Sequence, residues 1–290
     1  MADESPAATA RALAREAART SGVSLADLRD AADLEAAAGL WGEVWQSAPG
    51  SLPMHPGLLV ALVHTGNHVN AARVDGRLVG AAAGFFHEPA HPALHSHIAG
   101  VLPEFGGRGI GRALKYHQAA WCLERGIPEI TWTFDPLVAR NAHFNLTGLR
   151  TGVVEYLQDL YGTMNDGLNA GHPTDRLMVS WDLTSIGSPD APAVWPPPEP
   201  GGVLLGADGP DGGPRFHRDA TPGHRQGLGW CSVAVPSDIE ALRIARPRLA
   251  LEWRFAVRAA LEPLLASDWV VTGFDPTTGY HLERNPDAAA

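Results

Sequence analysis

Residues 100–114 read GVLPEFGGRGIGRAL and place glycine at 106, 107, 109 and 111. A strand-like run, LHSHIAGVL (94–102), leads in, and a helical period, RALKYHQAAWCLERG (112–126), leads out. A strand that turns through glycines into a helix leaves the first helical N–H groups without intrahelical acceptors. The helix dipole makes that end attractive to an anion. Glycine lets a ligand approach the backbone with no side chain in the way, and Arg108 and Arg112 can add charge-assisted bonds to phosphate oxygens. The spacing is neither Gly-Lys-Ser/Thr nor G-x-G-x-x-G, so the two common nucleotide loops do not describe it.

The surroundings extend the pattern into an α/β arrangement. HVNAARVDGRLVGAAAGFFHE (68–88) is a hairpin signal, two apolar runs around Asp75-Gly76. IPEITWTF is strand-like, PLVARNAHFNLTGL helix-like, and GVVEYLQDLYG and RLMVSWDL read as strands. Leu34, Ala38, Trp41 and Trp45 recur at helical spacing. Residues 1–22, Ala/Arg-rich, read as an N-terminal tail or frayed helix, and 184–200, with TSIGSPDAPAVWPPPEP, as a proline-rich linker. Residues 201–290 read as a smaller C-terminal α/β unit. In it Ser237 and Glu240 form a capping-box pattern, and Leu249, Trp253, Val257, Leu261 and Leu264 a buried stripe.

A net charge of -10 disfavours nonspecific nucleic-acid binding, which needs a basic face. With two cysteines, no secretory-type start and no run of about 18 apolar residues, the chain reads as cytoplasmic, without disulfides and away from the membrane.

Val-x-Pro-Glu-aromatic ahead of Gly-Arg-Gly-Ile-Gly resembles the acyl-coenzyme A motif of the GNAT superfamily of N-acyltransferases. The resemblance covers about 23–183, and ITWTFDPLVARNAHFN with DRLMVSWDL is similar to a less-characterised branch with a C-terminal extension. It implies a mixed sheet with splayed central strands flanked by helices, and acetyl-CoA or another acyl-CoA as cosubstrate. The pantetheine would run along the strand ending at Val101. The pyrophosphate would lie on Gly106, Gly107, Arg108, Gly109, Ile110, Gly111 and Arg112, with Asn141 a further contact. Acceptor walls would include Trp41, Trp45, Phe86 and Phe134, beside Met54, His55 and His97. The acceptor implied is the amine of a small molecule or an amino acid. No metal is expected.

Two departures stand out. Gly106 replaces the family's usual Arg or Gln, and Phe144 occupies the place, four residues before Gly148-Leu149, where many members carry an acidic Tyr. Tyr161 and Tyr156 are candidate substitutes. For a base, His95 and His97 alternate on one strand and Glu88 ends the preceding one. Asp135-Pro136 fits a helix cap and first turn, and an uncompensated Asp135 would also suit an acceptor ammonium. The histidines of HEPAHPALHSH, with Glu88, are a rival metal cluster lacking H-E-x-x-H spacing. Three functions stay open: acyl transfer by direct attack, a noncatalytic CoA-binding module, and other thioester chemistry on the same fold. For the C-terminal unit the sequence leaves three roles: a cap on the acceptor site, extra strands, or a homodimer contact.

Overall fold

The computed structural model describes residues 5–48, 50–162, 171–188, 202–217 and 229–285. They divide into two compact units, one comprising the described residues through 132 with 181–188, the other 133–162, 171–180, 202–217 and 229–285. Two of the boundaries fall inside strands, at 132/133 and 180/181, and residues 189–200 of the proline-rich segment lie outside the described ones.

The first unit contains α1 (Pro6–Ser21), β1 (Ser24–Asp27), α2 (Ala31–Val44), α3 (Pro56–His64), β2 (His68–Val74), β3 (Arg77–Phe86), β4 (Ala93–Val101), α4 (Ile110–Leu123) and most of β5 (Glu129–Phe134). Strands β1 to β5 lie in sequence order. β1 to β4 pair antiparallel and β4 with β5 parallel, so the sheet is mixed. The expected hairpin joins β2 to β3, with Asp75 at φ 47° and Gly76 at φ 81°, as a tight two-residue turn requires. On one face Leu34, Ala38 and Trp41 of α2 and Leu59 of α3 bury Val69, Ala71, Ala81, Ala83 and Ile98. On the other, Ile110 and Leu114 of α4 pack on Ala72 and Val79.

The N-terminal segment is not a tail. Ser5 caps α1, Gly22 ends it in the left-handed region, and Ala10 and Ala14 are buried as the helix packs on α4. Alanines on one face allow two helices to approach closely, so the Ala/Arg-rich segment forms a helix with a buried side.

The second unit contains α5 (Ala139–Ala142), a π-helical turn (His143–Gly148), β6 (Gly152–Leu157), β7 (Arg176–Asp182), β8 (Val203–Gly206), β9 (Arg215–Phe216), β10 (Trp230–Val233), α6 (Ile239–Ala245), α7 (Pro247–Leu265), β11 (Trp269–Asp275) and β12 (Gly279–Arg284). β6 and β7 pair antiparallel, and a second sheet has the order β11-β12-β10-β8-β9. The helix after Pro136 starts only at Ala139, because Asp135 Oδ1 accepts from Leu137 N–H in a tight local turn first. The cap of α6 is Asp238, accepting from Ala241 N–H, and not Ser237. Pro247 then starts a separate helix, α7, where Trp253, Val257, Leu261 and Leu264 are buried as their spacing predicts, while Leu249 at its start is only partly buried.

Candidate active site

The loop between β4 and α4 carries the first half of the site. Gly107 (φ 74°) and Gly109 (φ 84°) adopt backbone conformations that L side chains resist, and a Cβ at either would point into open space. Gly109 is the cap residue of α4 and offers no side-chain acceptor. Among the described residues the N–H groups of 107–112 have no backbone acceptor, which leaves a cradle of donors at the positive end of a helix. Arg108 lies over the Phe105 ring at 4.9 Å, while Arg77 holds Glu104 at 2.7 Å and so keeps that carboxylate engaged beside the cradle. Arg112 is exposed on the first turn of α4.

The second half lies on β4. Its pairing with β5 covers Ala93↔Glu129 to His95↔Thr131 and goes no further among the described residues, although β4 runs on to Val101. On its other edge Ala83 pairs with Ile98 and Phe85 with His95. Gly84 alone therefore faces both Ser96 and His97, a bulge that frees backbone groups from the ladder and re-aims side chains. The strands part where the bulge sits, in keeping with the expected splay.

The bulge places His97 beside His95 and Phe85, with ring centroids 6.2 and 5.6 Å away. His95 Nδ1 and His87 Nε2 both bond the Thr131 hydroxyl, at 3.1 and 2.8 Å. Burial, then the neighbouring His97, His87 and Lys115, lowers His95 to about 4. Burial also holds His97 below its usual value, so both rings are neutral near pH 7. On the other side of the bulge the Lys115 ammonium donates to Ser96 Oγ at 2.8 Å and sits 3.6 Å over the Trp132 ring. Complete burial lowers Lys115 to about 7. Burial pushes the Cys122 thiol up to about 12, so it is protonated and no ready nucleophile.

Several expected site residues lie elsewhere or are already engaged. Trp41 is fully buried, and its indole N–H donates to the Ala81 carbonyl at 3.1 Å, which makes it core and not an acceptor wall. Met54 is likewise core, and His55 caps α3 by accepting from Gly57 N–H. Trp45 is partly buried against Gly100. Phe86 is exposed but stacks on Trp121 of α4. Glu88 stands in the turn between β3 and β4 and pairs with His91 at 3.0 Å, both well exposed. The five groups of HEPAHPALHSH do not converge on one ion position.

In the second unit, Phe134 is buried. Asp135 is buried too, and it is not uncompensated: Arg243 and Arg254 each donate to its Oδ2 at 2.6 Å. Burial opposes its charge, but Arg254 and then Arg243 outweigh that and hold the carboxyl well below the usual range. It therefore has no need of an acceptor ammonium. Tyr156 donates to Asp175 at 2.6 Å and is buried. Tyr161 is partly exposed, with its hydroxyl 3.1 Å from Thr133 Oγ1. Asn141 is half-buried on α5.

A family of known sequences fits this geometry. Residues 6–137 match the model of the acetyltransferase (GNAT) domain family. The matched stretch is less than half of the chain and takes in the β4–loop–α4 unit that carries the glycine cradle. No curated protein sequence matches it. Among solved structures it is similar to the ribosomal-protein-S18-alanine N-acetyltransferase from Escherichia coli, at 16% identity and TM-score 0.45 over 58% of this chain and 97% of that one. It is also similar to yncA, a putative acetyltransferase from Salmonella typhimurium solved with its cofactor acetyl-CoA, at 15% identity and TM-score 0.46, covering 59% and 99%. No helix among the described residues is long and apolar enough to cross a membrane.

Proposed function

We propose that the protein is an acyl-CoA-dependent N-acyltransferase that moves a short acyl group, acetyl by default, to the amine of a small molecule or amino acid by direct attack. The observation that carries this reading is the alignment of two backbone features on one strand–loop–helix unit. They are the bulge at Ser96-His97 and, at the end of the same strand, the glycine cradle with its uncapped amides.

The pyrophosphate would take the N–H groups of 107–111, with Arg108 and Arg112 adding charge. The pantetheine amides would pair with the β4 edge left open beyond His95, down to Val101. The thioester carbonyl would then reach the bulge, where unpaired N–H groups can stabilise the tetrahedral oxyanion. An alkyl amine near pKa 10 must lose a proton before it attacks. His97, neutral and beside the bulge, is suited to take it directly or through water. The neutral amine nitrogen bonds the acyl carbon and gives up its second proton to solvent, the carbon–sulfur bond breaks, and the thiolate, whose conjugate acid has a pKa of about 8.5, leaves without an obligatory acid. That removes the need for a tyrosine at Phe144. Cys122 is buried and protonated, which favours direct transfer over an acyl-enzyme.

Calorimetric titration of the full chain with CoA, acetyl-CoA and succinyl-CoA tests the reading, beside Gly109→Trp. Binding by the wild type and its loss in the variant is expected. A folded wild type that binds none of the three at millimolar concentration would overturn it.

A further inference from the structure

Asp27, His68 and His117 come from three elements: the last residue of β1, the first of β2, and the second turn of α4. Asp27 Oδ1 lies 3.2 Å from His68 Nε2 and 2.8 Å from His117 Nε2. The three donor atoms all fall within 4.8 Å of one another. We propose that these residues bind a divalent transition-metal ion, with zinc as the best match, at a site separate from the acyl-CoA cradle.

The donor set is the first argument. Two imidazoles and one carboxylate are ligands that suit Zn²⁺, and three protein ligands leave a fourth position for water or a solute. Tetrahedral bonds of about 2.0–2.2 Å hold ligand atoms roughly 3.3–3.5 Å apart. The observed spacings therefore ask for side-chain adjustments and no backbone rearrangement.

The second argument is support for the ligands. His68 is buried, with the Trp121 ring 4.5 Å from its own, and Phe86 stacks on the far end of that contact, 6.0 Å from Trp121. The His68 and His117 rings lie nearly parallel, 24° apart. Packing of this kind fixes imidazole orientation before an ion arrives.

Access is the third. Asp27 and His117 are partly exposed and also line a cavity of about 510 Å³ bounded by α1, β1 and α4. Its walls include Trp121, Glu124 and Arg11, the last two paired at 3.2 Å. Because Asp27 and His117 border this cavity, an ion and a solute ligand could reach them from solvent. The glycine cradle ends where α4 begins at Ile110, two turns before His117. A metal here would tie the sheet edge to α4 without occupying the proposed cofactor path.

The experiment is titration of the chelator-treated full chain with Zn²⁺ by calorimetry, with Co²⁺ as a visible-absorption probe of tetrahedral geometry. His117→Gln and Asp27→Asn are the test variants, since both positions are partly exposed, and His91→Gln is the control. About one ion per chain is expected, together with a Zn²⁺-dependent rise in Tm. Both test variants should bind more than about tenfold more weakly, with the control unchanged. No binding by the wild type, or equal binding by wild type and both test variants, overturns the proposal. Should one test variant fail to fold, as judged by circular dichroism, the other decides. The outcome does not depend on acyl-CoA binding.

Discussion

Arg254 donates to Asp135 at 2.6 Å with both side chains buried, across 119 residues of sequence. Arg243 reaches the same oxygen. A buried carboxylate between two guanidiniums is balanced as a set, and removing its charge leaves two cations desolvated together. Breaking a buried pair from one side costs about 3–5 kcal/mol. Asp135→Asn should therefore lower the free energy of denaturant unfolding by that order. Arg254→Met should cost less, because Arg243 still compensates the carboxylate.

Charge at the glycine cradle makes a separate prediction about affinity. Arg108 and Arg112 stand four residues apart at the start of α4, both exposed. Charge-assisted hydrogen bonds contribute about 1.5–3 kcal/mol. The double variant Arg108→Glu/Arg112→Glu should then raise the KM for acyl-CoA by roughly tenfold or more. The unfolding midpoint should stay near wild type, since neither side chain is buried. Steady-state kinetics at two ionic strengths provide the check, with the wild-type KM rising with salt and the variant's nearly flat.

What the sequence disclosed follows from how far each signal reaches along the chain. The Asp75-Gly76 turn, the cradle at 106–111 and the stripe on α7 are set by neighbours within a few residues, and each is where its pattern places it. The partners of Asp135 lie more than a hundred residues away, so its capping pattern was visible and its arginines were not. Trp41 lies in α2 and Trp45 caps its end, one turn on, and spacing alone cannot separate a core indole from a cavity wall. Only the Trp41 bond to Ala81 does that. The bulge at Ser96-His97 leaves no mark in LHSHIAGVL, because strict alternation reads the same with or without it. His68 and His117 stand 41 and 90 residues from Asp27, beyond any local pattern.

Lys115 gives a pH test of the packing beneath the bulge. Its amine is completely buried, and burial lowers its pKa from 10.5 to about 7. Between those values the unfolded chain holds a proton at this site that the folded chain lacks, so stability rises with pH through the window. One proton corresponds to about 1.4 kcal/mol per pH unit. Comparing wild type with Lys115→Met from pH 7 to 10 should show the wild type gaining relative to the variant. Parallel profiles would mean that Lys115 stays charged over Trp132 through the cation–π contact.

His97 provides the last test, and it concerns the reaction itself. The ring is neutral at pH 7 because burial depresses its pKa below 6.5. Only the neutral imidazole can take a proton from the attacking amine. Activity that depends on it should hold above that pKa and fall as pH drops through it, which places the midpoint of the acidic limb of kcat/KM below 6.5. A positioned general base contributes about 10²–10⁴-fold, so His97→Gln should lower kcat by that range and remove the limb. His95→Gln should have a smaller effect, because its Nδ1 is already engaged by Thr131 and its pKa of about 4 makes it a weak base. A His97→Gln enzyme with wild-type kcat and an unchanged acidic limb would transfer the base role to ordered water along the parted strands.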